Sequence, residues 1–295
     1  MSPTDELIRN VSDTAIWVAM YRAIESERPD ALFIDPYARR LSGERGERIA
    51  QTRDFQRSRM WPVIVRTSVF DEFVLNAVSK DGVDTVLNLA AGLDARPWRL
   101  PLPAALRWID VDLPEMLGYK QQAMAAETLN CRYETRAADL READVRRALF
   151  SEIGAASRAT LVISEGLIIY LPPEAVAALA SDLAAQPSFR WWMFDLLSPQ
   201  ILARISKSRG NGPGGANSPF LFAPADSTRF FAPYGWRERE FRSMWADSKR
   251  LNRRMPGAWF FDMMFSFQSP ERRKRASRMA GNVMLERAGT ASSPA

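Results

Sequence analysis

Four acidic residues stand at or just past the ends of short apolar runs, where they could bind a small ligand. These residues are Asp94, Asp112, Asp139 and Glu165. The apolar runs occupy residues 83–90, 106–112, 131–136, 159–164 and 189–196, and helical stretches separate them. This alternation predicts a doubly wound, mostly parallel α/β sheet. Because the carboxyl ends of parallel strands share one edge of a sheet, the four acids are predicted to lie together there.

The first two runs carry the features that a nucleoside needs. Ala91 and Gly92 after the first run form a small-residue turn that lets the backbone approach a ligand. Asp112 follows 20 residues after Gly92, the spacing expected of a carboxylate that binds ribose hydroxyls, and Asp110 is an alternative on the same face. The segment AAGLDA lacks the GxGxxG phosphate loop, and no GxxxxGK loop occurs in the chain. A nucleoside site without a phosphate cradle favours S-adenosylmethionine over NAD or ATP.

The composition removes several kinds of chemistry. The 295 residues include no histidine and a single cysteine, Cys131. This excludes Ser-His-Asp and Cys-His catalysis, no metal site is expected, and acid–base chemistry must use Asp, Glu, Tyr, Lys or the backbone. The net charge of +5 fits either a surface that attracts nucleic acid or dispersed arginines, and we favour the second interpretation. The charged run 271–275 is predicted to be an exposed helix face.

The whole chain, 1–295, is predicted to form one domain. Residues 1–80 read as a helical N-terminal extension, with Ser12 or Asp13 as a helix cap, and 81–287 as the Rossmann-like core. The core contains a lid insertion at about 198–222, rich in Gly and Pro, for which a plain disordered loop is an equal alternative. The tail 288–295 is predicted to be disordered. A single cysteine, no apolar stretch of membrane-spanning length and no secretory pattern predict a cytoplasmic protein without membrane partners.

Several segments resemble the leucine carboxyl methyltransferase family, including its bacterial O-methyltransferase branch. In chain order they are TAIWVAMYRAIESERPDALFIDPYARRL, VRTSVFDEFV, LNLAAGLDARPWRL, WIDVDLPEMLGYK, AADLRE, ISEGLIIYL and FFAPYGW. The matches run from about residue 14 to residue 287. The resemblance implies a class I methyltransferase fold with S-adenosylmethionine as cofactor.

The resemblance also implies roles for individual residues. Arg66 would pair with the methionyl carboxylate of the cofactor, and Gly92 would permit close approach to the methionyl part. Asp112 would hold the ribose hydroxyls, and Glu165 would lie beside the methionine amino group. From the local sequence alone, Arg66 could instead be a surface arginine, Asp112 a helix N-cap acid and Glu165 an exposed loop glutamate.

Adenine and substrate contacts are implied in the same way. Asp139 and the backbone of Leu140 would bind the adenine, with a capping acid as the alternative for Asp139. Tyr170 would lie near the substrate, or else be a core aromatic residue. The chain departs from the family pattern at Ala90, where a second glycine is usual, and at Ala95, where threonine is usual. Neither departure removes a charge.

The acceptor is predicted from the chemistry of methyl transfer. In-line displacement mainly needs a well-positioned nucleophile. A carboxylate is ionised at neutral pH and needs no base, whereas a hydroxyl usually does. The lack of histidine therefore favours O-methylation of a carboxylate or acidic hydroxyl on a small molecule or natural product. Arg96 and Arg99 would clamp a carboxylate, or else be ordinary surface residues.

An aromatic and methionine-rich stretch occupies residues 259–267. Core packing or a homodimer interface is the preferred interpretation of this stretch. An apolar pocket wall is the alternative.

Two other functions compete with the methylation of a small molecule. A nucleic-acid methyltransferase would fit the basic charge, but its Asn/Asp-Pro-Pro-Tyr-type motif is replaced here by SEGL at 164–167. A non-catalytic binding module that retains the fold would be expected to lose the cofactor acids, which are present. The sequence leaves the acceptor and the oligomeric state open.

Overall fold

Seven strands form one sheet in the computed structural model, which describes residues 14–52, 60–207, 219–255, 257–267 and 269–289. The strands are β1 (Thr85–Leu89), β2 (Arg107–Asp112), β3 (Arg132–Ala137), β4 (Thr160–Ser164), β5 (Phe189–Leu197), β6 (Trp236–Ser243) and β7 (Ala280–Arg287). Their spatial order is β3-β2-β1-β4-β5-β7-β6. β1 to β5 are parallel, and β7 is antiparallel to β5 and β6. The predicted Rossmann-like, doubly wound and mostly parallel sheet is confirmed.

The central strands are apolar because both of their faces are covered. Every residue of β1 and β4 is buried, and their sequences TVLNL and TLVIS show no polar alternation. β3 has the sequence RYETRA and lies at one edge of the sheet, where its side chains are only half-buried or exposed. The strand order reverses between β1 and β4, so a crevice forms at their carboxyl ends.

Helices cover both faces of this sheet. They are α1 (Thr14–Ser26), α2 (Ala38–Ala50), α3 (Trp61–Lys80), α4 (Arg96–Arg99), α5 (Pro114–Met124), α6 (Ala143–Ala155), α7 (Pro173–Ala184), α8 (Pro199–Lys207), α9 (Met244–Arg250), α10 (Ala258–Ser266) and α11 (Pro270–Ser277). Two 3₁₀ helices span Ile168–Tyr170 and Ser227–Tyr234. On one face α3 buries Val65, Val69 and Phe73. On the other, α6 and α7 pack against the strands.

Some of the remaining predictions from the sequence are confirmed, some fall on residues outside the described ranges, and the rest stay predictions. The final strand is confirmed as β7, whereas β6 was not predicted because its sequence WREREFRS is mostly charged. The proposed caps Ser12 and Asp13 lie outside the described residues, as do 208–218 of the lid insertion and 290–295 of the tail. The first part of the insertion is helix α8. The domain boundaries, the lid and the disordered tail stay predictions.

The described aromatic and methionine side chains of the stretch 259–267 are exposed, so core packing is wrong for them, whereas the homodimer interface stays a prediction. Trp259 is 69% exposed and Phe267 is 84% exposed, while Phe260, Met263 and Met264 are about half exposed. None of these residues lines the main cavity, so the pocket-wall alternative also fails for them. The charged run 271–275 lies on α11 and is exposed as predicted.

A buried ion pair links β2 to α5. Lys120 Nζ lies 2.7 Å from Asp110 Oδ2, and both side chains are fully buried. Tyr133 donates a second hydrogen bond to the same oxygen, at 2.7 Å, and Trp108 and Asn88 donate to Oδ1 at 2.9 and 3.1 Å. Asp110 is therefore not an alternative ribose ligand, because its carboxylate points into the interior and its acceptor sites are filled.

Lys120→Met is expected to lower the free energy of unfolding by about 3–5 kcal/mol, because it leaves the Asp110 carboxylate buried without its cation. Urea unfolding followed by tryptophan fluorescence measures the change. The control is Lys80→Met at the exposed end of α3, which is expected to change stability by at most about 0.5 kcal/mol. Equal effects of the two substitutions would show that the buried pair is not needed.

Candidate active site

A cavity of about 580 Å³ opens at the carboxyl ends of the parallel strands, where α1 and α3 lie over the sheet edge. Five of the seven residues to which the family resemblance assigns a role line it: Arg66, Gly92, Asp112, Glu165 and Tyr170. They come from α3, the turn after β1, the end of β2, the loop after β4 and the 3₁₀ helix that follows. A cavity of this size falls within the range of small-molecule sites.

The turn after β1 presents its backbone to Asp112. Ala90 and Gly92 both have a positive φ, of 50° and 49°. A non-glycine residue in this region costs on the order of 1–2 kcal/mol, which explains why a glycine at position 90 would be the less strained choice. The amide of Gly92 donates to Asp112 Oδ2 at 2.7 Å. A Cβ at Gly92 would approach the Cβ of Ala15 on α1 to 3.3 Å, so this turn has little room for a side chain.

Asp112 is held by backbone amides. Leu113 donates to Oδ1 at 2.7 Å, and Leu113, not Asp112, is the N-cap residue of α5. The N-cap interpretation of Asp112 is therefore wrong. Burial raises the pKa of Asp112, and the hydrogen bonds from Gly92 and Leu113 oppose that rise. The carboxylate lies on the cavity wall in a fixed orientation.

A network of buried charges forms another part of the wall. Arg66 lies 2.9 Å from Glu165 and 3.3 Å from Asp195, and its side chain is only 13% exposed, which rules out a surface role. Burial alone would lower the pKa of Arg66, but the charges of Asp195 and Glu165 raise it. Glu165 is shared with Arg96, at 2.9 Å, and is not an exposed loop residue.

Arg96 and Arg99 belong to the same network. Arg96 contacts Asp71 and Asp94, each at 2.7 Å, and Arg99 contacts Asp71 at 2.6 Å. Both arginine side chains are 3% exposed, so the interpretation as ordinary surface residues is wrong. Burial would raise the pKa of Asp94, but the charge of Arg96 holds it well below its usual range.

Tyr170 occupies another part of the cavity wall. Its ring packs edge-on against Phe220, with 5.1 Å between ring centroids. Burial raises the pKa of Tyr170 to about 12, partly opposed by Thr14 and by the charge of Arg66. At neutral pH its hydroxyl is therefore protonated, and it can donate a hydrogen bond into the cavity.

Asp139 and Leu140 are not among the residues that line the cavity. Asp139 follows β3 and is paired with Arg141 at 2.6 Å, and the carbonyl of Leu140 accepts from Arg146 at 2.7 Å. Asp139 is not the cap of α6, because Glu142 holds the N-cap position.

Sequence reasoning missed two residues of the wall. Asp195 accepts a hydrogen bond from the amide of Gly166 at 2.6 Å, in addition to its contact with Arg66. Its signal was an acid within the apolar run WWMFDLL. Arg22 on α1 contacts Asp35 at 2.9 Å and the carbonyl of Leu93 at 2.6 Å. No local pattern distinguished Arg22 from the other arginines.

A model of the leucine carboxyl methyltransferase family matches residues 15–184, which is more than half of the chain. The chain belongs to the leucine carboxyl methyltransferase family. A relative from Streptomyces coelicolor, provisionally assigned as an S-adenosyl-L-methionine-dependent methyltransferase, is 34% identical over 235 residues. That match covers 76% of this methyltransferase and 82% of the relative.

Solved structures support the same fold. A DUF574 family protein from Streptomyces avermitilis has a TM-score of 0.54 at 14% identity, with 92% of this chain and 96% of the other covered. Magnesium protoporphyrin IX methyltransferase from Synechocystis, with bound SAH, has a TM-score of 0.50 at 15% identity, with 82% and 92% covered. The family and its relatives make this chain an S-adenosylmethionine-dependent methyltransferase.

The described ranges lack two features. In this part of the chain, no group of three or more acidic or cysteine side chains is placed to hold a metal ion. No helix within it is long and apolar enough to cross a membrane.

Asp94→Asn is expected to lower the free energy of unfolding at neutral pH by about 1–3 kcal/mol, because Arg96 loses a charged partner. Because the pKa of Asp94 is lowered in the folded chain, its carboxylate stabilises the fold at pH values above 3.8, the ordinary pKa of an aspartate. This stabilisation is lost as the pH falls below that value. The stability gap between wild type and variant should therefore narrow in acid. Urea unfolding at pH 7 and in acid tests this, with Asp144→Asn on the surface of α6 as control. A gap that stays constant with pH would contradict the assignment.

Proposed function

We propose that this methyltransferase transfers a methyl group to an oxygen atom, in a carboxylate or acidic hydroxyl, of a small molecule. The observation that carries the proposal is that one cavity is lined both by Gly92 with Asp112, which share a hydrogen bond, and by the Arg66–Glu165 ion pair. Such a cavity suits one nucleoside-bearing cofactor and a small acceptor beside it.

The residues of the cavity fit S-adenosylmethionine. Asp112 is oriented by two backbone amides and would accept hydrogen bonds from the ribose hydroxyls. Arg66 would bind the methionyl carboxylate, and Glu165 the ammonium group. Gly92 leaves the backbone open to the methionyl part. Asp139 and the backbone of Leu140, beyond the cavity wall on the same sheet edge, would bind the adenine.

The site promotes methyl transfer by positioning the acceptor relative to the methyl group of the cofactor. When bound, the cofactor supplies a methyl group on a positively charged sulfur, a reactive donor that needs no further activation. The chain holds the acceptor in line with that group and excludes water. Alignment of this kind can lower a barrier by about 7–11 kcal/mol. Tyr170 lies in the cavity wall and would donate a hydrogen bond to the acceptor, since its phenol is protonated at neutral pH.

The alternative of a nucleic-acid methyltransferase receives no support from the site. The cavity wall is rich in carboxylates, and α1 covers part of the sheet edge. A phosphate backbone would meet negative charge there. The cavity therefore favours a small acceptor.

Asp112→Ala is expected to weaken S-adenosylmethionine and S-adenosylhomocysteine binding by about 10- to 100-fold, because ribose hydrogen bonds to a charged group are lost. Isothermal titration calorimetry measures both ligands, and Asp144→Ala on α6 is the control. Tight binding by Asp112→Ala would remove this residue from the proposed site. No binding by the wild type would favour a non-catalytic module.

We also propose that α10 joins two copies of the chain in a homodimer. Trp259 on α10 and Phe267 directly after it are the most exposed apolar side chains of this segment, and together with Phe260, Met263 and Met264 they form an apolar surface of the kind that marks interfaces. A two-fold axis would place the same helix of each copy in contact.

The double substitution Trp259→Glu with Phe267→Glu is expected to convert a dimer into a monomer, because it places charge within the apolar contact. Sedimentation velocity measures the mass. Val145→Glu, at a single exposed apolar residue of α6, is the control and should leave the dimer intact. A wild-type monomer at all concentrations would end this proposal.

A further inference from the structure

Glu165 contacts two arginines, one through each of its carboxylate oxygens. Arg66 donates to Oε1 at 2.9 Å, and Arg96 Nη1 lies 2.9 Å from Oε2. In the proposed function Arg66 binds the methionyl carboxylate and Glu165 the ammonium group, so the contact between these two side chains is weakened on cofactor binding. The contact with Arg96 does not depend on that exchange. Arg96 can therefore hold Glu165 in one orientation before and after it.

Arg96 is itself fixed by three further contacts. Its Nη1 also donates to Asp94 Oδ2, at 2.7 Å, and its Nε donates to Asp71 Oδ1, at 2.7 Å. Its guanidinium carbon lies 5.7 Å from the centre of the Phe70 ring, and the side chain is 3% exposed. Because a guanidinium group presents its donors in a rigid plane, anchoring Nε sets the direction of Nη1. The contact with Asp71 therefore helps to determine where Nη1 meets Glu165.

Asp71 holds Arg96 without lining the cavity. It lies on α3, which also carries Arg66, is 7% exposed and is not among the described residues of the cavity wall. Its Oδ2 accepts from Arg99 Nη1 at 2.7 Å, and its Oδ1 accepts from Arg99 Nη2 at 2.6 Å. A bidentate pair of this kind fixes the orientation of the carboxylate as well as adding strength. The carboxylate that anchors Arg96 is thus itself held in one geometry.

We propose that Asp71 is a positioning residue for cofactor binding, which acts through Arg96 to hold Glu165 in place for the ammonium group of the methionyl part. This rests on the proposed function and deepens it, since it names the residue behind the ammonium site. In this role Asp71 touches neither cofactor nor acceptor. A purely structural role, in which Asp71 only ties α3 to α4, predicts instead that all ligands of the site are affected alike.

The first experiment compares two ligands that differ in the methionyl part. S-adenosylhomocysteine carries the ammonium and carboxylate groups, whereas methylthioadenosine has the nucleoside and the thioether but neither charge. Calorimetry measures both ligands with the wild type and with Asp71→Asn, which keeps the shape of the side chain and removes its charge. We expect S-adenosylhomocysteine binding to weaken by about tenfold, the lower end of what loss of an orienting partner costs at metal sites. Methylthioadenosine binding should stay unchanged.

The two ligands together decide between the two roles. An equal loss of affinity for both would show a structural role and overturn the proposal, and so would unchanged affinity for both. No binding of S-adenosylhomocysteine by the wild type would instead refute the proposed function, and this inference with it.

Asp247→Asn is the matched control. Asp247 on α9 is also a buried carboxylate shared by two arginines, Arg242 at 2.6 Å and Arg250 at 2.7 Å, and it is not among the described residues of the cavity wall. Its substitution should leave the affinity for both ligands unchanged. A selective loss of S-adenosylhomocysteine binding in this control as well would show that the effect is not specific to Asp71, and would overturn the assignment.

Arg96→Lys breaks the same link from its other end. It keeps a positive charge among the surrounding carboxylates, so it tests the proposal even if Asp71→Asn does not fold. Lysine lacks the rigid fork that joins Nε to Nη1, so the same selective loss of S-adenosylhomocysteine binding is expected. If Arg96→Lys weakens both ligands equally, the link between Asp71 and Glu165 does not position the ammonium site.

The second experiment tests whether Asp71 acts through Glu165. Glu165→Gln is expected to weaken S-adenosylhomocysteine binding by itself. Adding Asp71→Asn to that variant should change the affinity little further, because the side chain that Asp71 positions no longer carries its charge. The two effects would then be strongly non-additive, as for residues that belong to one network. Fully additive effects on the binding free energy would show that Asp71 acts by another route, which would overturn the proposal.

Discussion

Buried charges must be paired, and this requirement organises the carboxyl edge of the sheet. Arg66, Arg96 and Arg99 are nearly or fully enclosed, and each is tolerated only because carboxylates surround it. The partners come from α3, the turn after β1, the loop after β4 and β5, so the network ties four segments together. The cavity exists because these long side chains support its wall in place of packed apolar groups. Its shape, its charge and its accessible atoms all follow from that pairing.

Much of the fold could be predicted because it depends on local patterns. β1 and β4 are continuous apolar runs, and their alternation with helices allows few arrangements other than a parallel sheet. The clustering of Asp112 and Glu165 follows from topology alone, since both stand at the carboxyl ends of parallel strands. The resemblance implies that a glycine is usual at position 90, and the φ of 50° at Ala90 gives the physical reason, since glycine adopts a positive φ without strain.

What could not be predicted depends on contacts between distant residues. Asp110 and Asp112 lie on the same strand, yet only the packing of Lys120 from α5 shows that Asp110 points into the interior. Asp195 reads as part of a core strand until Arg66, 129 residues away, is seen beside it. The stretch at 259–267 has a composition typical of a core, but its described aromatic and methionine side chains are about half exposed or more. Hydrophobicity predicts that such a surface is covered, not what covers it.

The ion pairs that Arg66 already makes within the chain constrain how a zwitterionic ligand can bind. Its guanidinium group already contacts Glu165 and Asp195, so a methionyl carboxylate must displace part of this contact. The ammonium group of the same ligand can then pair with the carboxylate that is released. The exchange replaces one internal ion pair with two intermolecular pairs and leaves no buried charge alone. A ligand that carried only the anion would lack this compensation, because Glu165 would lose its contact with Arg66 without gaining a new cation. The same pairing that builds the cavity therefore selects for a ligand with both charges.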